Sequence, residues 1–301
     1  MRVILVTGMS GSGKSIALNV LEDAGYAAVD NLPARFLLEL IGEMQEHGQE
    51  RVAVSIDIRT GVESVTAIPS LLPVLRRYHD VQLLFLTANT PTLVQRYSET
   101  RRRHPLSTST LYAIPASASG RERTLEECID DERKLLGVLD GVGHLIDTSD
   151  LPSQTLRYWV RDFLGKDRAG LVLLFESFGY KHGVPLDADL VFDVRCLPNP
   201  FYYAELSPLT GRDQPVIDFF SKIDSVQQMI DDIFAFVARW LPVYVLDGRS
   251  YLTVAIGCTG GQHRSVYCVE RLAERFRSNG AVLVRHRALS LPAQAVTKKS
   301  E

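Results

Sequence analysis

Residues Gly8, Met9, Ser10, Gly11, Ser12, Gly13, Lys14 and Ser15 read GMSGSGKS, a spacing that wraps a chain around a phosphate group. The residue types explain the chemistry. Gly8, Gly11 and Gly13 let the backbone curl until successive N–H groups and the start of the next helix face one anion. Lys14 adds a mobile positive charge, and Ser15 offers a hydroxyl to a Mg2+ ion bridging the β- and γ-phosphates, which makes it the candidate metal ligand. The alternative is a glycine- and serine-rich turn with no ligand. Against it, the apolar run MRVILVT precedes the loop and the helix-forming IALNVLEDAG follows it.

A second anion cradle is written into GCTGGQHRS, residues 257–265. Gly260 and Gly261 allow close backbone approach, the helix N-terminus after them contributes its dipole, and Arg264 can grip a phosphate with two prongs. Cys258 and Arg264 also fit the CxxxxxR spacing of cysteine-dependent phosphatases, whose thiolate is the nucleophile. Those enzymes place a histidine where this chain has Gly257. Phosphate binding without cleavage, cleavage through Cys258 and a purely structural turn stay open at this point.

Other charged positions are weaker signals. Asp30 and Asp57 each close an apolar run, so each carboxylate falls at a strand end, where it either orients magnesium or caps the next turn. RYSETRRRHP, residues 96–105, puts Arg96, Thr100 and Arg103 on one helical face and suits either a phosphate lid or a salt-bridged surface helix. After residue 270 the chain turns basic, with Arg271, Arg275, Arg277, Arg285, Arg287, Lys298 and Lys299 against Glu274 and Glu301. A solvated helix face and a frayed tail would read the same way.

The elements that must hold these residues alternate. Strand-like runs at 2–7, 26–30, 51–58, 81–87 and 143–147 are separated by helix-compatible segments at 33–47, 91–101, 122–138 and 152–164, the pattern of a parallel α/β sheet. After GKDRAG come strand-like runs at 170–176, 190–195 and 251–257 and an amphipathic stretch from about 215 to 240. The expected fold is α/β throughout: a kinase-like P-loop domain over residues 1–165 and a smaller α/β domain over 166–301. A chain of 301 residues, 46% hydrophobic and 23% charged with net charge −3, can bury two such cores. Cysteines at 128, 196, 258 and 268 form no CxxC pair, which argues against structural zinc and a disulfide framework and for a cytoplasmic protein. No apolar run approaches membrane-span length, so no membrane partner is expected.

Taken in order, GMSGSGKS, VDNLP, SIDIRT, RYSETRRRHPL, FESFGYKHGVPLDADLVFDVRCLPNP, PLTGRD and RSYLTVAIGCTGGQHRSV cover nearly the whole chain. In these blocks the chain resembles the RapZ/YvcJ family of P-loop nucleotide-binding proteins. The resemblance implies binding of ATP or GTP with weak hydrolysis, with Asp57, Ile58, Arg59 and Thr60 as a second nucleotide-contacting segment. In the adaptor branch of that family the second domain recognises glucosamine-6-phosphate and a small regulatory RNA, which is presented to RNase E. By carry-over, Thr259, Gly260 and Arg264 hold the phosphate and Cys258, Gly261, His263 and Ser265 complete the cradle. His182, Asp193 and Ser250 face the sugar, and Arg277, Arg285, Arg287, Lys298 and Lys299 meet RNA phosphates. The resemblance also implies a homo-oligomer. Two positions depart from the adaptor pattern, Phe201 in place of a histidine and Ala281 in place of a lysine.

Overall fold

A computed structural model describes residues 1–107, 123–164, 171–247, 249, 251–277 and 281–289, and the chain divides into two compact units, Met1–Lys166 and Asp167–Glu301. In the first unit, β1 (Arg2–Gly8), α1 (Lys14–Asp23), β2 (Ala27–Val29), α2 (Leu37–Glu46), β3 (Arg51–Ser55), α3 (Val62–Thr66), α4 (Ile68–Arg76), β4 (Asp80–Thr87), α5 (Thr90–Thr100), α6 (Leu125–Leu136), β5 (His144–Asp147) and α7 (Ser153–Leu164) follow in order. The five strands are all parallel, in the order β2-β3-β1-β4-β5. Val3, Ile4, Leu5 and Val6 are all buried because helices cover both faces of a parallel sheet, so β1 reads as a continuous apolar run. Strand β1 lies between β3 and β4, where the chain reverses its direction of travel across the sheet. The loop leaving β1 therefore opens into the crevice where such sheets take ligands.

Local chemistry sets the boundaries. Helix α5 starts where the Asn89 side chain accepts from Thr92 N–H, and α6 starts in a reciprocal capping box between Thr124 and Glu127. Helix α5 ends at Thr100 because Arg101 adopts a left-handed conformation (φ 51). That corrects the expected single face, since Arg103 lies beyond the helix that carries Arg96 and Thr100. Helices α3 and α4 had no counterpart in the sequence reading. Pro69 and Pro73 hide α4, the first near its start and the second inside it.

One buried carboxylate ties α6 to the loop after β1. Glu132 accepts from Ser10 N–H (3.1 and 3.0 Å), from Ser10 Oγ (2.8 Å) and from His104 Nε2 (3.0 Å). Burial works against its charge. The bond from His104, the nearby Lys14 charge and the Ser10 hydroxyl outweigh that and hold its pKa below the usual carboxylate range.

The second unit runs β6 (Val172–Gly179), β7 (Leu190–Asp193), α8 (Gln214–Ser221), α9 (Asp224–Leu246), β8 (Tyr251–Cys258), α10 (Arg264–Phe276) and β9 (Ala281–His286), with a parallel sheet in the order β7-β8-β6-β9. The one amphipathic stretch expected near 215–240 is two helices, and the second continues through Pro242. Strand β9 overturns part of the basic-end reading. Arg285 pairs in register with Glu176 of β6 and is only 2% exposed, so it cannot meet an RNA backbone. Arg287 follows it inward, with Nη1 3.6 Å from the Glu176 carboxylate and 4.0 Å from Asp187. Among the described residues no helix is long and apolar enough to cross a membrane.

Two stability predictions follow from these contacts. Gly8 sits at φ 136, and a Cβ there would lie 2.0 Å from the Leu86 carbonyl oxygen. Gly8→Ala is expected to destabilise the first unit by about 3 kcal/mol, whereas Gly25→Ala, strained at φ 85 but with open space around it, costs about 1 kcal/mol. Thermal unfolding of both variants checks the contrast. Glu132→Gln turns an acceptor-only group into one that sets N–H against N–H, at a cost of about 2–3 kcal/mol at neutral pH. Because the folded pKa of Glu132 is depressed, its contribution is complete above the unfolded carboxylate pKa and is lost as pH falls through the folded value. The gap in melting temperature between wild type and Glu132→Gln is expected to narrow only under acid, below the ordinary carboxylate range.

Candidate functional site

In the first unit a cavity of about 700 Å³ opens at the end of β1, lined on one side by Gly11, Ser12, Gly13, Lys14 and Ser15. Helix α1 begins at Gly13 (φ 101) without a side-chain cap among the described residues, so its first N–H groups are left for a ligand. Lys14 is nearly buried. Its ammonium donates to the carbonyls of Gly8 (2.7 Å) and Met9 (3.0 Å) and lies 3.6 Å from Asp57 Oδ2. Burial lowers its pKa, and the charges of Asp57 and Glu132 oppose that shift.

Asp57 is fixed from several sides. Its Oδ1 accepts from Arg59 N–H at 2.8 Å, and its Oδ2 lies 3.5 Å from Arg59 Nε. The amide of Asn31, in a left-handed turn (φ 54), places its nitrogen 3.2 Å from both Asp57 oxygens. Asp57 and the Ser15 hydroxyl both line the cavity and are hard oxygen donors, which suit Mg2+ completed by phosphate and water. Asp30 lines the same cavity.

The structure divides the residues expected here. Met9 is buried in the core, and Ser10 is turned back onto Glu132. Asp57 and Arg59 reach the cavity, but Ile58 packs in the core with Leu106 and Cys128, which corrects its place in a nucleotide-contacting segment. The Thr60 hydroxyl donates to the Asp57 carbonyl. Arg96 donates to the carbonyl of Gly11 (3.0 Å) and to Thr148 Oγ1 (3.0 Å) and O (2.6 Å), so it braces the loop, and it lines the cavity together with Arg102 and Arg103. Glu132, His104 and Thr148 went unremarked in the sequence. A signal existed for Glu132, which falls on the buried stripe of α6 with Cys128, Ile129 and Leu136.

In the second unit the turn from β8 into α10 has the same form, and α10 likewise lacks a side-chain cap among the described residues. Cys258 Sγ accepts from Gly261 N–H at 3.2 Å and lies 3.2 Å from Ser265 Oγ. The side chain of Arg264, 5% exposed, donates through Nη1 to the carbonyls of Arg195 (2.7 Å) and Leu197 (3.2 Å) and through Nη2 to Thr259 Oγ1 (3.2 Å). Its Nε is buried with no hydrogen-bond partner among the described residues.

Thr259 is exposed and Gly260 half-buried, so these two present the cradle, whereas buried Cys258, Gly261 and Ser265 shape it from below. His263 is corrected as a ligand, because it is buried with Nε2 donating to the Leu206 carbonyl at 3.2 Å. Lys181 N–H donates to the Thr259 carbonyl (3.3 Å), which brings the exposed turn carrying His182 alongside. Asp193 pairs in register with Gly257, and Arg195 holds its carboxylate through Nε (3.0 Å) and Nη2 (2.7 Å). That bond keeps the Asp193 pKa low. The Arg195 guanidinium also lies 4.1 Å over the Tyr180 ring, a placement the sequence reading missed. Arg277 is exposed at the end of α10, while Ser250, Lys298 and Lys299 lie outside the described residues.

Comparison with known proteins bears on the whole chain. Residues 1–168 match the family model of the RapZ-like N-terminal domain and residues 171–290 that of the RapZ C-terminal domain. A nucleotide-binding protein of Ralstonia nicotianae is 57% identical over 97% of this chain and 100% of its own length. One of Bordetella pertussis is 56% identical over 95% of this chain and 97% of its own. Among solved structures, an unliganded sugar kinase from Janibacter sp. HTCC2649 overlays 55% of this chain and 94% of its own at 16% identity with a TM-score of 0.36. With a phosphate loop at the end of β1, a second cradle at the end of β8 and both family domains matched in order, the chain belongs to the RapZ family of nucleotide-binding proteins.

Proposed function

We propose that this chain is a nucleotide-responsive RNase adaptor. Its first unit binds ATP or GTP with Mg2+ and hydrolyses it weakly, and its second holds glucosamine-6-phosphate. The assembled homo-oligomer carries a small regulatory RNA to RNase E. The observation that supports this most is the repeated pairing of an uncapped helix start with a nearly buried cation, Lys14 at α1 and Arg264 at α10. Each pairing stabilises a phosphate through backbone N–H groups and one side chain.

The roles divide by geometry. Gly11 to Ser15 cradle the β- and γ-phosphates, and Lys14 exchanges its bonds to two carbonyls for bonds to phosphate oxygens. Ser15 and Asp57 would hold Mg2+, which neutralises charge between the phosphates when bound. In the second unit Thr259, Gly260 and Arg264 take the sugar phosphate, with His182 and Asp193 beside it. Ser265 Oγ and Gly261 N–H both face the Cys258 sulfur, as a thiolate would require. Asp193, however, is held ionised by Arg195 and unable to donate a proton. Binding without cleavage is therefore the reading adopted. For RNA, exposed Arg277 together with Lys298 and Lys299 supplies phosphate contacts, which add affinity but read no sequence.

Lys14→Ala is expected to weaken nucleotide binding by about 2–3 kcal/mol, the loss of a charge-assisted hydrogen-bond set, with the fold retained. Calorimetric titration of ATP and GTP reads this, and equal affinity in both proteins removes the site. Cys258→Ser is expected to keep glucosamine-6-phosphate binding and Arg264→Ala to abolish it. If wild type hydrolyses an aryl phosphate and Cys258→Ser does not, nucleophilic cleavage replaces the binding reading. Replacing Arg277, Lys298 and Lys299 with alanine is expected to weaken small-RNA binding and flatten its salt dependence, measured by gel shift at two salt concentrations. Wild type that binds such RNAs with nonspecific affinity alone removes the adaptor role and leaves a nucleotide-sensing regulator.

A further inference from the structure

Behind the phosphate loop is a polar cluster that plays no part in the nucleotide contacts described above and whose His104 reaches the cavity lining. Ser10 presents its N–H and its hydroxyl to Glu132, and His104 presents Nε2 to the same carboxylate. The donor and acceptor roles of the His104 ring follow from its other nitrogen. Leu106 N–H donates to His104 Nδ1 at 3.2 Å, so Nδ1 is the acceptor and Nε2 carries the proton. Three donors thus converge on one fully buried group, and only an acceptor-only carboxylate satisfies them all.

The consequence for the loop is geometric. A loop whose N–H groups point inward at an anion holds aligned dipoles that repel one another until the anion arrives. A fixed negative charge on its outer side anchors it. Glu132 takes the N–H of Ser10, and the next five residues, Gly11 to Ser15, line the cavity. The second consequence concerns the arginines. Helix α5 stops at Thr100, and Arg102 and Arg103 then line the cavity, exposed and in no ion pair with a described residue. The next residue is His104, 2% exposed, its ring 5.3 Å from that of Tyr97 and its Nε2 bonded to Glu132. One carboxylate therefore fixes both the back of the phosphate loop and the root of the arginine pair.

We infer that Glu132 and His104 are positioning residues of the nucleotide site, holding the phosphate loop in its anion-facing form and setting Arg102 and Arg103 over the terminal phosphate of a bound nucleoside triphosphate. This rests on the nucleotide reading of the same cavity. Arg102 and Arg103 supply the charge that discriminates triphosphate from diphosphate. His104 makes that charge available by removing the freedom of the segment that carries it, so the cost of ordering two arginines is met in the ligand-free protein.

Calorimetric titration of the full-length protein with adenosine, ADP and a β,γ-imido ATP analogue tests the inference. Replacing Arg102 and Arg103 with alanine is expected to lower affinity for the ATP analogue on the order of tenfold or more, that for ADP less, and that for adenosine not at all. His104→Phe keeps the ring against Tyr97 and leaves Glu132 on Ser10, and it is expected to give the same graded loss. In His104→Phe combined with the two arginine substitutions, no further loss is expected, because the arginines have already lost their placement. His104→Gln returns a donor to Glu132 and is expected to recover part of the affinity. Glu132→Gln is expected to weaken ADP and ATP analogue alike, and His104→Phe carries the test if that variant unfolds. Additive losses in the combined variant, or an equal loss for adenosine, ADP and the ATP analogue, overturn the inference while leaving nucleotide binding intact. Wild type that binds none of the three removes the nucleotide reading as well.

Discussion

The first unit is organised around a positive charge held out of water. Burying an ammonium group costs several kcal/mol unless it is paired, and Lys14 is paired three ways, to two carbonyls of its own loop and to Asp57. Those partners require the loop to fold back over the side chain, which requires positive φ at Gly8, Gly11 and Gly13. Gly8 can take its conformation only because it lacks a Cβ, with the Leu86 carbonyl of β4 directly against it. Adjacent central strands, a left-handed loop and an uncapped helix start are thus one mutually dependent arrangement. The bonds to Gly8 and Met9 hold the ammonium against its own loop, so one pairing fixes both the side chain and the backbone around it.

The second unit solves a similar problem with a different cation. The planar guanidinium of Arg264 is locked to the carbonyls of Arg195 and Leu197. The cradle is therefore held by its arginine as the first loop is held by its lysine. Close packing extends below it, where the backbone at Gly179 touches Gly260 so closely that a Cβ on Gly179 would lie 2.7 Å from a backbone carbon. The sheet supporting this loop carries Glu176 and Arg285 as in-register partners on neighbouring strands, both fully buried. Buried opposite charges of this kind tolerate one register and few alternatives, which suits a strand that must end beside a binding loop.

Where sequence reading went astray, one cause recurs. Polar residues assigned to RNA or to a ligand, or passed over, are buried by tertiary packing. Arg285 reads as part of a basic tail, yet it shares the buried face of its strand with Leu283, and the strand's partner is supplied more than a hundred residues earlier. Glu132 reads as one acid among several in LEECIDDERK, yet it faces inward from α6 toward donors on two distant loops. His263 looks like a ligand because it precedes Arg264, and its buried bond to Leu206 shows it to be a strut. No local pattern carries the identity of a long-range partner.

The sequence by itself determined the parallel α/β character of both units, through alternating apolar runs and helix-compatible segments, and the positions of both strand-loop-helix turns, through glycine spacing. These depend on local backbone preference and on hydrophobic period, which neighbouring residues encode. Tertiary structure alone decided which of the flanking charges face a ligand. Asp57, Arg59, Arg102 and Arg103 were brought to one cavity, while Glu132, Arg285 and Arg287 were drawn inward. That division depends on strand order and register, which bring together residues far apart in the chain, and burial then fixes each charge according to the partner it meets there.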